Sequence, residues 1–324
     1  MICGCSDKNT FVIPEAEENL PDINIIRFDK DLFSLNVDSL ENTLPDFYKK
    51  YNNFFDLFTH QIINIGGIED QAFIDRLTLF LNDYLNRQVY DDCQKKYPDL
   101  KDIEKELSRA LAYYKYYFPD KQIPEFYSYV SRFNQSIVVD EGFIGIGIDK
   151  YLGKDCSYYY SLGLPKYMIN KMHEKMLPVD CMSALAISEF PFESEKNDLI
   201  SNALYKAKIQ YFLKSVFPYY HDTLLWGFNK SQLEWCNKNE KNMWSYLVEK
   251  KLFFSNDFMT IKRLTDDGPF TVPFTKESPA RATVWLCYKI ILSYIKNHQD
   301  YGLVDLMNEN DYYKILNESK YEPD

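Results

Sequence analysis

Large apolar residues recur every three or four positions along most of this 324-residue chain, and the step drops to two mainly between Glu125 and Asp149. A three-to-four step lines up side chains on one face of a helix, and a step of two lines them up on one face of a strand. The helical pattern is plain in Leu40, Leu44, Phe47, Tyr48, Tyr51, Phe54, Phe55 and Phe58, and again in Phe73, Leu77, Phe80, Leu81, Tyr84 and Leu85. Gly66 and Gly67 interrupt the two as a loop. A third helix is expected from about Asp102 to Tyr117, ending before Pro119. Beyond Pro165 helices are expected over about 166–175, 179–190, 197–216, 230–251, 257–266 and 279–297, with a terminal pair near 301 and 311.

The step-of-two runs 125–133, 136–140 and 143–149, with a short strand from Ile23 to Phe28, predict a small antiparallel sheet. Gly142, Gly145, Gly147 and Gly153 gather there, which implies close backbone approach. With 27 Tyr and 23 Phe against only 11 Gly, the composition suits long helices. The expected class is α+β, predominantly helical, with helices packed around that sheet. Residues 23–324 are expected to form one globular domain, preceded over 1–22 by a polar, acidic, Pro-bearing flexible spacer.

The net charge of -11 argues against a nucleic-acid partner, whose phosphates need clustered cations, and against electrostatic adhesion to anionic lipid. No apolar run is long enough to span a bilayer. The seven cysteines form no zinc-type ladder and read mostly as buried apolar fillers. The four histidines, His60, His173, His221 and His298, include no pair four apart. His173-Glu174-Lys175-Met176-Leu177 begins like HExxH but has Leu where the second ligand belongs, and Pro178 follows. No GxSxG elbow occurs, and Gly142 to Gly147 sit between strands rather than opening a helix. No catalytic residue, metal or cofactor is therefore expected.

One polar stretch stands out. Asp266-Asp267-Gly268-Pro269 is a turn, and Ser278-Pro279 reads as the cap and first residue of a helix carrying Arg281 and Trp285. Asp267, Glu277 and Arg281 either line a pocket or pair to lock the loop, and the four Trp read more as core than as a ligand platform.

Ile2-Cys3-Gly4-Cys5 resembles the tail of a bacterial lipobox, which makes Cys5 the expected lipidation site. The charged and apolar stretches that lead such a box do not precede Met1, so the natural start is expected upstream. Longer blocks point the same way: IRFDKDLF at 26–33, FIGIGIDKYLG at 143–153 and LPKYMINKMHEKMLPVDCM at 164–182. ALYKAKIQYFLKSVFP at 203–218, QLEWCNKNEKNMWSYLVEKKLFFS at 232–255 and DDGPFTVPFTKESPARATVWLCYKIILSYIKN at 266–297 follow in order. Together they resemble the gliding-motility lipoprotein family GldB of the Bacteroidota, with Ala280 and Ala282 where that family tends toward Gly.

The resemblance implies a lipid-anchored cell-envelope protein, expected at the outer membrane facing the periplasm, with envelope proteins as partners. The family is distantly similar to HExxH zinc metallopeptidases. Here the equivalent segment, Val179 to Phe190, has no His, and Lys206 stands where an acid would complete the site. A degenerate zincin-like scaffold acting by protein contact follows by analogy. Two alternatives remain: a hydrolase using Glu189, Asp267 and Glu277, or a peptide- or glycan-binding module with Trp285 and Arg281 as contacts.

Overall fold

The computed structural model describes residues 11–323. In chain order the helices are α1 Phe28–Phe33, α2 Leu40–Leu57, α3 Phe73–Asn82, α4 Tyr84–Lys96, α5 Lys101–Tyr117, α6 Ser157–Ser161, α7 Lys166–Ile169 and α8 Leu177–Glu189. They continue as α9 Leu199–Val216, α10 Asp222–Trp226, α11 Lys230–Glu249, α12 Phe258–Thr265, α13 Ala282–Asn297, α14 Leu303–Asn308 and α15 Tyr312–Glu318. The strands are β1 Ile25–Ile26, β2 Glu125–Tyr129, β3 Ile137–Asp140 and β4 Phe143–Gly147. This is the expected α+β, mainly helical class. Two compact units divide the chain, one over 22–108 and 122–185, the other over 11–21, 109–121 and 186–323.

The first unit holds the sheet, ordered β1-β2-β4-β3. It is mixed, which corrects the expected antiparallel sheet: β1 with β2 and β2 with β4 run parallel, and only β3 with β4 is antiparallel. The hairpin closes at Glu141 and Gly142, where Gly142 at φ +83° supplies the left-handed turn residue. It is β4, buried at every position, that then enters the middle, as a continuously apolar strand does, while the half-exposed β3 with Asp140 takes the edge. A Cβ on Gly145 would stand 2.7 Å from Val138 Cγ2 and 2.9 Å from Phe54 Cε2, so the bare backbone makes room for the ring beneath it.

Helix α2, kinked at Asn52 (φ +39°), delivers most of the aromatic face that its spacing announced, with Phe58 in the turn just beyond its end. Phe28 sits at the centre of that face, with ring centroids of Tyr51, Phe54 and Phe58 each 4.9 Å away. Several boundaries differ from expectation: the helix placed over about 166–175 ends at Ile169, where Met168 and Ile169 donate back to the Pro165 carbonyl and the chain turns, and two others have a plain cause. Tyr84 and Leu85 do not extend α3, because the Asp83 carboxylate accepts from the Asn86 amide at 2.9 Å and caps a new helix, α4. The expected strand Ile23–Phe28 pairs only at Ile25 and Ile26 before Phe28 opens α1.

The second unit is built on α9, which is buried on nearly every side and packs against α10, α12, α13, α14 and α15. Its apolar residues therefore lack a strong one-sided pattern. Part of the expected spacer is packed here: Phe11 meets Tyr211 edge-on at 5.4 Å, and Tyr113 accepts from the Ile13 amide and donates to Glu17. Cys5 lies outside the described residues.

Candidate functional site

The six side chains singled out between Glu189 and Trp285 do not converge. Glu189 pairs with Lys121. Lys206 places its ammonium 2.5 Å from Asp266 Oδ1 and 3.3 Å from the Thr265 carbonyl, so it neutralises the C-terminal end of α12. Trp285 is buried in α13, with the Lys289 ammonium 5.4 Å from its ring centre. Glu277 points to solvent, where the Thr275 hydroxyl and its own amide hold its carboxyl below the ordinary value.

Asp267 and Arg281 do meet, with Nε 2.9 Å from Oδ1, a charge contact rather than an aligned hydrogen bond. Arg281 also donates from Nη2 to the Trp226 carbonyl at 2.5 Å, closing the end of α10. Ser278 does not cap a helix at Pro279 as its local sequence suggested. Its hydroxyl donates to the Thr275 carbonyl and accepts from the Thr271 amide, Thr271 Oγ1 accepts from the Ala282 amide, and α13 starts three residues later. Arg281 itself sits at φ +60°.

Two substitutions separate side chain from backbone at this position. Arg281→Ala is expected to cost about 2 kcal/mol, mostly from the stranded Trp226 carbonyl, because Asp267 is too exposed for its ion pair to contribute much. Arg281→Gly should cost about 1 kcal/mol less, since glycine accepts the left-handed backbone. Equal losses in chemical denaturation would contradict the assignment.

The acid most altered by its surroundings is Asp149, fully buried in the sheet unit. Its Oδ2 accepts from the amides of Ser131 at 3.1 Å and Phe133 at 2.7 Å, which Arg132 and Phe133, both at positive φ, turn toward it. Oδ1 and the Ser131 hydroxyl bond no protein group. Burial outweighs the two amides and pushes the carboxyl up to about 6.

The native state then holds the Asp149 proton more tightly than the unfolded chain, so this group's contribution to stability is present at low pH. It fades as pH rises from about 4 to 6. Asp149→Asn should therefore be more destabilising at pH 4.5 than at pH 7, by about 2 kcal/mol. Denaturation at both values checks this, and an identical difference would refute it. Sealed from solvent, Asp149 cannot meet a substrate.

Lys208, which the pattern did not flag, is likewise buried on α9. Its ammonium donates 2.6 Å to the Glu309 carbonyl at the end of α14, and burial lowers it to about 8. Its only visible signal was a cation between Ala207 and Ile209 in an apolar helix.

Among the described residues no three His, Cys, Asp or Glu side chains gather as a metal site requires. An open recess of ≈ 740 Å³ lies between 193–196 and 310–313, but its polar groups answer one another. Asn310 donates to Glu193 at 3.1 Å, and the Lys196 ammonium lies 3.8 Å from the Tyr313 ring centre.

A different kind of feature lies in the sheet unit. Residues 153–172 leave and return at one point: Gly153 N donates to the Met172 carbonyl at 2.9 Å, and Leu152 bridges His173. Tyr159, Ile169 and Met172 face inward, and the Tyr159 hydroxyl joins the Asp149 carbonyl to the Leu152 amide. Outward stand Tyr160 at 53% exposure, Leu162 at 55% and Met168 at 40%. From Ser157 to Pro165 there is no charge. A compact excursion with closed ends, packed by its own side chains, is a common carrier of function, and uncharged Tyr- and Met-bearing surface is typical of the centre of a protein interface.

No curated protein and no solved structure matches the chain. The family model for gliding motility protein GldB, a lipoprotein family by its designation, matches residues 12–323. With nearly the whole chain covered, it belongs to the gliding-motility GldB lipoprotein family.

Proposed function

We propose that the protein is a lipid-anchored, non-catalytic component of a cell-envelope assembly that works by protein contact. The 153–172 excursion is the docking face in this reading. The observation that carries it is the exposed apolar surface of Tyr160, Leu162 and Met168, free of charge from Ser157 to Pro165, on a segment whose ends and inner side are fixed. Fixed apolar groups bind without the cost of ordering a loop. The division of Glu189 and Asp267 between two different ion pairs, with Glu277 in solvent, favours contact over carboxylate hydrolysis, which needs two acids flanking one bond.

The anchor is Cys5, and the reading places the protein at the outer membrane facing the periplasm, on a degenerate zincin-like scaffold within 23–324. A photo-crosslinking residue at Leu162 or Met168 in the native envelope should give a discrete adduct with another envelope protein, and one at exposed Lys241 should not. Absence of adducts at both excursion positions would overturn the proposal.

A further inference from the structure

The chain is acidic overall, yet one stretch of the helical unit reverses the balance. Between Val248 and Arg263 stand Lys250, Lys251, Lys262 and Arg263 against Glu249 and Asp257. All four cations are exposed, and so are Val248, Phe254, Phe258 and Met259. Phe258 leaves 71% of its surface in water and Phe254 59%, each forgoing about 1–2 kcal/mol that burial would contribute.

This exposure does not come from a loose loop. The Ile200 and Leu199 amides, at the start of α9 where helix donors lack internal partners, donate at 2.9 Å to the carbonyls of Phe253 and Ser255. The buried Phe253 ring lies 5.1 Å from Trp244, and Phe254 stacks on Tyr313 at 5.6 Å. Asp257 accepts from the Thr260 amide at 2.7 Å and caps α12, whose first turn presents Phe258 and Met259. Lys262, one turn on, holds its ammonium 6.0 Å from the Phe258 ring centre. Backbone bonds and the cap thus hold Phe254, Phe258 and Lys262 out, with Lys250, Lys251 and Arg263 exposed within a few residues of them along the chain.

We infer that this segment is a membrane contact: Phe254, Phe258 and Met259 enter the interfacial layer of a bilayer, and Lys250, Lys251, Lys262 and Arg263 meet its anionic headgroups. Aromatic and apolar tips bordered by Lys and Arg are the chemistry of a lipid interface, with each cation near such a surface adding about 1 kcal/mol. The centre of a protein interface is depleted of charge, as the 157–165 surface is and this one is not. The overall charge does not forbid the contact, because acidic groups more than about 10 Å from the headgroups are screened at physiological salt.

The test uses the full chain without an acyl group, so failure of the anchor reading does not affect it. The probes are phosphatidylglycerol–phosphatidylethanolamine vesicles and phosphatidylcholine vesicles. Co-sedimentation with the anionic vesicles is expected, weakened by about 0.5 M salt, and Phe258→Trp should show blue-shifted emission on binding. Phe254→Ser/Phe258→Ser and Lys250→Glu/Lys251→Glu/Lys262→Glu should each lower partitioning about a hundredfold with melting unchanged. Wild-type protein that does not bind, or variants that bind as well as wild type, would overturn the inference. So would a protein adduct at Phe258 in envelopes without vesicle binding, which would assign the surface to a protein.

Discussion

Replacing Asp29 with Ala is expected to cost about 3–5 kcal/mol, the typical loss when one partner of a buried ion pair is removed. Asp29 is fully buried, and its two oxygens accept every bond around it. Arg27 Nε and Nη2 approach at 2.9 and 2.8 Å, Gln94 Nε2 at 2.8 Å and the Ser128 hydroxyl at 2.5 Å. Arg27 also donates to the Tyr97 carbonyl at 3.1 Å. One carboxylate thus ties α1 to α4 and β2 and, through Arg27, fixes the turn between β1 and α1. Without it, a guanidinium only 16% exposed loses its counter-charge. Arg27→Met/Asp29→Leu, which removes both charges, should recover much of the loss because no charge is then left unpaired. Urea denaturation of the three proteins decides the matter, and an Asp29→Ala loss below about 1 kcal/mol would mean that the network is not holding these elements.

Gly147→Ala is the second large effect, expected at about 3 kcal/mol or more. The backbone there, at φ -77°, suits any residue, so the penalty is purely spatial. A Cβ would stand 2.3 Å from the Gln135 carbonyl oxygen and 3.0 Å from Tyr129 Cε2. The carbonyl cannot simply swing away, since the neighbouring Ser136 carbonyl accepts from the Gly147 amide at 2.7 Å and the Tyr129 hydroxyl donates to Gln135 at 3.0 Å. Gly142 offers the opposite case: nothing lies near its missing Cβ, but φ is +83°. There Asn, which tolerates a left-handed backbone, should cost less than Ala. If Gly147→Ala melts with the wild type, the 131–137 turn is not seated against β4 as described.

Helices whose apolar spacing is carried by many large side chains were legible. Leu40–Leu57, Lys101–Tyr117 and Lys230–Glu249 lie within a few residues of where the pattern put them. What stayed hidden depends on partners distant in sequence. The parallel pairing of β2 with β4 stayed hidden, because nothing local in either strand selects its partner, which pairs such as Phe126 with Ile144 decide. Ser278-Pro279 carries a proper local cap signal, and the bonds with Thr271 override it. Short helices such as α6 and α10 offer too few turns for a period to show.

The acids followed the same logic. In a chain with 48 Asp and Glu, nothing local distinguishes the buried Asp29 and Asp149 from the solvated majority. The apolar neighbours in IRFDKDLF were the one available hint. Exposure is no easier to read, since Phe253 and Phe254 are adjacent and identical, yet one is buried and the other is not.

The most direct measurement of the contact-protein account is the size of the species released from native envelopes by mild detergent, for the wild type and for Leu162→Asp/Met168→Asp. The account predicts a wild-type complex larger than the protein in its own micelle and a double variant that runs as the free chain, with unchanged melting and membrane fractionation. Wild type and variant of the same size, whether both assembled or both free, would contradict it.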